Sequence, residues 1–203
     1  MIAQQERRGL LVVLSGPSGV GKDVAIARLK QQGFAIHYVV TATTRPRRPN
    51  ERHGVDYFFL SREEFNDLIA RDELLEWSWV HGNLYGPPIA QVREKLAEGM
   101  DVLLKIDVQG AAKVRERVRD AVFIFLAPPS IEELVERLRA RRTESEQELE
   151  VRVANAYKEM AALPAYDYVV VNFADRLDQA VDHIRCIITA ERLRVQPRHT
   201  ELL

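Results

Sequence analysis

Residues 10–23 read Leu10-Leu-Val-Val-Leu-Ser-Gly-Pro-Ser-Gly-Val-Gly-Lys22-Asp23. The first five of them are apolar and partly β-branched, which predicts a short buried strand. Residues 16–22 then match the pattern G-x-x-x-x-G-K between a predicted strand and a predicted helix. Such a loop turns backbone N–H groups toward one anion, and the N-terminus of the following helix adds a positive dipole. The predicted phosphate-binding residues are Gly16, Pro17, Ser18, Gly19, Val20, Gly21, Lys22 and Asp23.

Apolar runs alternate with helical patterns along the rest of the chain. Further strands are predicted at residues 34–42, 57–60, 74–80, 100–106, 122–126 and 168–171. Ser61, Ser130 and Ser145 each stand three residues before a glutamate, a capping signature that predicts the start of a helix. Strands that alternate with helices imply an α/β fold in which helices cover both faces of a parallel core sheet. The predicted architecture is therefore a three-layer sandwich built on a P-loop.

Residues 41–89 interrupt this alternation with short strands and a turn, which predicts an inserted subdomain. We expect one domain over residues 8–194, with its core at 8–40 and 90–194. A chain of 203 residues is close to the size of one such domain. The tail at residues 195–203 is expected to be frayed.

Composition excludes several classes of protein. The net charge of -1 argues against a nucleic-acid binder, because such domains carry a basic excess. No apolar run reaches the roughly 18 residues of a membrane helix, and the first nine residues lack the apolar segment of a signal peptide. Cys186 is the single cysteine, so an internal disulfide or a thiolate-rich metal site is excluded. These features predict a cytoplasmic protein and imply no membrane contact and no obligate protein partner.

Several separated motifs carry a resemblance to a known family. The stretch Thr41-Ala-Thr-Thr-Arg45-Pro-Arg-Arg48-Pro-Asn-Glu51, followed by Gly54, Asp56 and Tyr57, resembles the guanylate kinase signature. The match continues in the family's order through Glu76-Trp77, residues 82–86, Ile106-Asp107-Val-Gln-Gly110 and Pro128-Pro-Ser130. The resemblance covers about residues 10–190. It implies transfer of a phosphoryl group from ATP to GMP with Mg²⁺, a GMP-binding insertion at 41–89, and a mobile lid at about 140–150.

The resemblance also implies roles for individual residues on the GMP side. Arginines bind phosphate with forked hydrogen bonds and a tyrosine hydroxyl can donate one more. Glu76 matches the family residue that accepts from N1–H and the N2 amine of guanine, and Thr41 matches the hydroxyl near the other edge of the base. The expected GMP-binding residues are Thr41, Arg45, Arg48, Tyr57, Glu76, Tyr85 and Asp107.

A basic cluster at residues 137–142 falls in the segment that the resemblance assigns to the lid. Arg137 and Arg141 are four residues apart and so share one helix face. Phosphoryl transfer needs such charges because the transferring group must be neutralised and held in line. The resemblance implies that Arg137 and Arg141 bind ATP, and that Lys22, Arg45, Arg141 and Arg152 are the catalytic residues.

Three residues depart from the family pattern. Asp23 replaces the usual Ser or Thr, Lys105 replaces an acid, and Pro87 replaces a common hydroxyl residue. Because Mg²⁺ binds carboxylate oxygen readily, Asp23 is predicted to be the metal ligand, and Lys105 to pair with Asp23 or to meet the transferring phosphoryl group. Two other functions remain as alternatives. A ribose 1,5-bisphosphokinase has a similar loop but lacks the base-reading residues, and a guanylate-kinase-like phosphopeptide-binding module typically loses the phosphate loop, which is intact here.

Overall fold

The computed structural model describes residues 9–80, 82–140 and 146–202, without the side chains of 146–149. The helices are α1 (Lys22–Gln31), α2 (Arg62–Ala70), α3 (Ile89–Ala97), α4 (Val108–Arg117), α5 (Ile131–Ala140), α6 (Glu146–Met160) and α7 (Leu177–Arg192). The strands are β1 (Leu11–Ser15), β2 (His37–Tyr38), β3 (Ala42–Thr43), β4 (Phe58–Phe59), β5 (Ser78–Val80), β6 (Asn83–Gly86), β7 (Val102–Lys105), β8 (Val118–Arg119), β9 (Val122–Ala127), β10 (Tyr168–Val171) and β11 (Glu201–Leu202). Among the described residues, no helix is long and apolar enough to cross a membrane.

A five-stranded parallel sheet in the order β10-β9-β1-β7-β2 forms the centre of the fold. The side chains of β1 alternate between its two faces. Val12 and Leu14 pack in a cluster with residues of α1 and α7, whereas Leu11 and Val13 pack in a second cluster with residues of α3 and α4. Both faces are thus buried, which explains why β1 is apolar without alternation. The predicted α/β fold, with a parallel core sheet between two helical layers, is confirmed.

The carboxyl ends of these parallel strands bring three segments to one edge of the sheet. The loop at 16–21 follows β1, Asp107 follows β7, and Asn172 follows β10. Ligands of open α/β sheets bind in the crevice outside the carboxyl ends of the strands. A ligand site is therefore expected at this edge.

A second sheet, in the order β4-β3-β6-β5, lies within residues 41–89. β3 runs parallel to β4 and antiparallel to β6. A small core under this sheet is formed by Ala42, Phe65, Leu74 and Leu84. Ser61 begins α2 with the predicted capping box, in which it exchanges hydrogen bonds with Glu64. The assignment of this segment to GMP binding stays a prediction.

The strand predicted over residues 34–42 is wrong as a single element. β2 belongs to the core sheet, whereas β3 belongs to the second sheet. The side chain of Gln91 accepts a hydrogen bond from the backbone N–H of Val40 and donates one to its carbonyl. A side chain thus replaces a neighbouring strand at Val40, so the chain leaves the core sheet there. The strand predicted over 74–80 shortens to β5, and β6 was not predicted.

The expectation of a frayed tail is also wrong for residues 195–202. β11 pairs antiparallel with β8. Arg198 donates from Nε to Oε2 of Glu191 at 2.9 Å and from Nη1 to the carbonyl of Ala121 at 3.2 Å. Glu191 is only 2% exposed, and a buried carboxylate is costly unless it is paired. The tail therefore stays packed because it supplies this partner.

Candidate functional site

The loop between β1 and α1 depends on glycine at two positions. Gly16 and Gly21 have φ angles of 138° and 103°, which side-chain-bearing residues rarely adopt. A Cβ atom at Gly16 would lie 2.1 Å from the carbonyl oxygen of Leu126, and one at Gly21 would lie 2.6 Å from Nδ2 of Asn172. Asn172 Nδ2 also donates to the carbonyl of Val20 at 2.8 Å. Neighbouring strands thus press against the loop and fix its conformation.

Lys22 folds over this loop. Its Nζ donates to the carbonyl oxygens of Gly16 at 2.5 Å and Pro17 at 3.1 Å. Burial lowers the pKa of Lys22 to about 8, against the opposing charges of Glu159, Asp23 and Asp107. The ammonium is therefore held at the loop that the sequence predicts to bind phosphate.

Residues of α5 and α6 also reach the loop. The N–H of Ser18 donates to Oε2 of Glu159 at 2.9 Å, and Nη2 of Arg152 donates to Oγ of Ser18 at 3.2 Å. Arg137 pairs with Glu133 and donates from Nη2 to the carbonyl of Asn172 at 2.8 Å. The structure thus places Arg137 and Arg152 beside the loop. Arg141 lies outside the described residues, as do the other residues of 141–145 within the lid predicted at about 140–150.

Arg45 is held by a carboxylate on the second sheet's side of the site. Its Nη2 donates to both carboxylate oxygens of Glu51, at 2.7 and 2.9 Å, and the backbone N–H of Arg48 donates to Glu51 at 2.9 Å. Although burial lowers it, the pairing with Glu51 raises the pKa of Arg45 above its usual value. Glu51 therefore fixes the guanidinium of Arg45, while the Arg48 side chain extends into solvent.

Two tyrosines complete this cluster. The rings of Tyr57 and Tyr85 meet edge to face with centroids 6.1 Å apart. The guanidinium of Arg45 lies 5.5 Å from the centre of the Tyr57 ring. Tyr85 lies in β6, the strand that pairs with β3. The predicted residues Arg45, Tyr57 and Tyr85 are therefore neighbours, although 40 residues separate the first from the last.

Glu76 is a buried carboxylate, with 5% of its surface exposed. Ser78 Oγ donates to Glu76 Oε2 at 2.9 Å. A Cβ atom at Gly110 would lie 2.8 Å from Oε1 of Glu76, so only glycine leaves room there. Burial raises the pKa of Glu76 to about 7, with a further contribution from Asp107, against Ser78 and Lys113.

Asp107 and Thr41 are two further residues of the predicted GMP-binding set. Asp107 caps α4 because its Oδ1 accepts from the backbone N–H of Gly110 at 2.7 Å. Thr41 is 8% exposed and directly precedes β3, and its carbonyl accepts from the N–H of Phe58. The predicted GMP-binding residues at this end are thus supplied by separate parts of the chain, and Asp107 is close enough to raise the pKa of Glu76.

Lys105 connects the two halves of the site. Its Nζ contacts Oδ1 of Asp23, the pairing expected from the sequence, and donates to the hydroxyl of Tyr57 at 3.1 Å. Although burial lowers it, the neighbouring Asp23 and Tyr57 raise the pKa of Lys105. Within the described part of the chain, no group of three or more His, Cys, Asp or Glu side chains could hold a metal ion.

Sequence reasoning missed three supporting residues. Glu51 lies inside the arginine-rich motif, and its place three residues after Arg48 was the available signal. Glu159 is one of several acids on α6, and Asn172 follows an ordinary strand, so nothing local distinguishes either residue. Their contacts with the loop join residues 141 and 152 positions apart.

Comparisons with known proteins find relatives that are similar over most of the chain. The family model described as guanylate kinase matches residues 8–191. A guanylate kinase of Halalkalibacterium halodurans is 48% identical over 190 residues, which cover 94% of this chain and 92% of that protein. One from Shouchella clausii is 46% identical over 202 residues and 98% of each chain. The crystal structure of guanylate kinase from Anaplasma phagocytophilum aligns with a TM-score of 0.76 at 36% identity, over 94% of this chain and 89% of that one.

The family model matches most of the chain. Close to half of the aligned residues are identical in relatives of similar length. The chain belongs to the guanylate kinase family.

Proposed function

We propose that this protein transfers the γ-phosphoryl group of ATP to GMP and releases ADP and GDP. An oxygen of the GMP phosphate forms the new bond to the γ-phosphorus, and the bond from that phosphorus to the β–γ bridging oxygen breaks. The observation that carries the proposal is the link between the phosphate loop and the acceptor side. Lys105 contacts both Asp23, which follows the loop, and Tyr57 of the Arg45 cluster. Asp107 is close enough to affect the pKa of both Lys22 and the buried Glu76. Family membership supports the same activity.

On the ATP side, the residues supply positive charge around a fixed loop. Backbone N–H groups of the loop and the N-terminus of α1 would bind the phosphates, with Lys22 on the terminal ones. Arg152 would add charge at Ser18, and Arg137 would add charge at Asn172, whose side chain contacts the loop. Arg141 would join them when the proposed lid at about 140–150 closes. Such preorganised charge is how phosphoryl-transfer enzymes stabilise the transition state.

On the GMP side, we assign the phosphate to Arg45, Arg48, Tyr57 and Tyr85. The Glu51 carboxylate keeps Arg45 in place before GMP binds, so little side-chain entropy is lost on binding. The Glu76 carboxylate would accept from N1–H and the N2 amine of guanine, with Thr41 and Asp107 completing this end of the pocket. Adenine has an unprotonated N1, which would face the carboxylate lone pair to lone pair.

We assign magnesium to Asp23. Mg²⁺ is usually held by one or two carboxylates together with waters and substrate phosphates. Asp23 offers carboxylate oxygens in the first turn of α1 directly after Lys22, with 81% of its side chain exposed, so its chemistry fits this ion. The bound ion would neutralise phosphate charge. We also assign the protein to purine nucleotide metabolism in the cytoplasm, which accords with a single cysteine and no disulfide.

The test of this function is the formation of ADP, measured by a coupled assay with different acceptors. GMP is expected to support rapid ADP formation, whereas ribose 1,5-bisphosphate and buffer alone are not. ADP formation with ribose 1,5-bisphosphate but not GMP would favour the related sugar-phosphate kinase. No ADP formation with either acceptor, together with binding of a phosphopeptide, would indicate a non-catalytic module.

Replacing Asp23 with alanine is expected to raise the magnesium concentration for half-maximal activity several-fold, because one of the few protein oxygens near the ion is lost. Magnesium-dependent ADP binding, measured by calorimetry, should weaken in the same variant while magnesium-free binding does not. Asp178→Ala is the matched control, since Asp178 is also exposed and pairs with Arg28 of the same helix α1. An unchanged magnesium requirement in Asp23→Ala would remove Asp23 from the metal site.

The pH dependence of GMP use should follow the ionisation of Glu76. Because its pKa is raised to about 7, the side chain is a protonated acid below that pH and an acceptor carboxylate above it. Ionisation of Glu76 is therefore expected to contribute a rise of about tenfold in kcat/KM for GMP from pH 6 to pH 8. Asp107, the N-cap of α4, raises the pKa of Glu76, whereas Lys113 of α4 lowers it.

The phosphate of GMP also titrates, with a pKa near 6, so a control is needed. The same profile measured with Glu76→Gln contains the phosphate titration but not that of residue 76. The ratio of the two profiles should therefore rise with pH around 7. A constant ratio would show that Glu76 does not control GMP binding.

A further inference from the structure

One lysine joins the P-loop helix to the phosphate-binding tyrosine of the acceptor side. Lys105 is the last residue of β7, at the carboxyl edge of the core sheet. Its Nζ contacts the carboxylate of Asp23, at the start of α1, and donates to the hydroxyl of Tyr57 at 3.1 Å. The partners come from sequence positions 82 and 48 residues away.

The direction of the hydrogen bond determines what the Tyr57 hydroxyl can do. An ammonium has only donors, so the tyrosine oxygen must be the acceptor in this contact. The hydroxyl proton is therefore directed to another acceptor, and the nearby positive charge strengthens it as a donor. In the proposed function, this acceptor is the GMP phosphate that Arg45 holds. The guanidinium of Arg45 lies 5.5 Å from the centre of the Tyr57 ring.

Stability does not account for the arrangement. The Asp23 side chain is 81% exposed, and ion pairs with such a partner contribute little to folding. The Lys105 side chain is only 25% exposed, so its charge is held partly out of water. A partly desolvated charge at the ligand edge of a parallel sheet is more useful for ligand binding than for the core.

We propose that Lys105 is a positioning residue for phosphoryl transfer, which orients the Tyr57 hydroxyl toward the acceptor phosphate and ties it to Asp23 on the donor side. Two N–H groups of the ammonium serve these partners. The proposal rests on the proposed function and adds to it a residue outside the sets assigned to ATP and GMP. Its effect is specific, because it acts on the phosphate of GMP and not on the base.

The test compares GMP with guanosine in the full-length protein, by calorimetry and by steady-state kinetics. Lys105→Met keeps most of the side-chain length and removes the charge. This substitution is expected to weaken GMP binding about tenfold, which is the usual cost of losing one hydrogen bond to a charged group. The affinity for guanosine, which has no phosphate, should stay within about twofold of the wild-type value. Lys105→Arg keeps the charge, so its affinity for GMP should be at most about threefold below the wild-type value, which is half of the tenfold loss on a logarithmic scale.

A double-mutant cycle separates positioning from general damage. In a Tyr57→Phe background, where no hydroxyl remains to be oriented, Lys105→Met should cost less than about twofold in GMP affinity. Lys95→Met is the matched control, because Lys95 pairs with Glu94 and Glu98 on the surface of α3. If Lys105→Met unfolds, as judged by its melting temperature, Lys105→Gln takes its place in the cycle.

Two results would overturn the proposal. One is an equal loss of GMP affinity in the wild-type and Tyr57→Phe backgrounds, and the other is an equal loss for guanosine and GMP. Failure of the underlying function is recognised separately, since wild-type protein would then form no GDP from ATP and GMP.

Discussion

Replacing Glu76 with glutamine is expected to lower the preference for GMP over AMP by about tenfold to a hundredfold. A carboxylate can accept both hydrogen bonds from the guanine edge, whereas an amide presents one acceptor and one donor. A buried donor left without its partner costs about 1–3 kcal/mol, and charged acceptors are at the upper end. Because Glu76 is 5% exposed, water cannot easily replace the lost contact. The measurement is the ratio of kcat/KM for the two nucleotides.

A matched control is available three residues earlier. Glu73 is exposed and pairs with Arg71 at 3.2 Å, so Glu73→Gln makes the same chemical change outside the pocket. It should leave the GMP/AMP ratio unchanged. Unaltered discrimination in Glu76→Gln would show that another residue reads the base.

Replacing Arg45 with alanine is expected to raise the KM for GMP about a hundredfold and to change kcat less. Hydrogen bonds between charged groups contribute about 1.5–3 kcal/mol each, and a guanidinium can make two to one phosphate. The substitution also removes the guanidinium that lies 2.7 Å from the Glu51 carboxylate. That carboxylate is then unneutralised next to the position proposed for the GMP phosphate. Repulsion between these negative charges adds to the loss. Steady-state kinetics with GMP varied at saturating ATP measure both parameters.

Arg47 provides the control for this change. It lies two residues away and is exposed, and its Nη1 donates to the backbone carbonyl of Glu51 at 3.2 Å. Arg47→Ala removes one positive charge from the same loop but keeps both hydrogen bonds between Arg45 and the Glu51 carboxylate. A similar rise in KM for both variants would mean that the loop acts through its net charge and that Arg45 has no particular role.

Much of the core could be predicted from the sequence because its signals are local. The apolar run of β1, the glycines of the loop and the capping box at Ser61 each depend on a few consecutive residues. The apolar stripe of α7, formed by Val181, Ile184 and Ile188, follows helical periodicity. The resemblance then assigned the site residues, and the structure brings Arg45, Tyr57 and Tyr85 together as neighbours.

The remaining features depend on contacts between distant residues. β3 and β4 are two residues long, too short for a pattern of alternation. The break at Val40 depends on the side chain of Gln91, 51 residues away. β11 forms because the C-terminal tail pairs with β8 and Arg198 binds Glu191. No periodicity in the sequence indicates these contacts. The same reason hides the contacts that Glu159 and Asn172 make with the P-loop.

The central claim is that this protein phosphorylates GMP because its pocket reads guanine. The most direct measurement is the rate at which wild-type protein converts GMP or AMP to the diphosphate at saturating ATP, with each product identified by ³¹P NMR. With GMP as the acceptor, the account predicts that GDP and ADP form in equal amounts. It also predicts a kcat/KM for GMP that is at least about a hundredfold higher than for AMP. Equal use of GMP and AMP, or ADP formed without GDP, would contradict it.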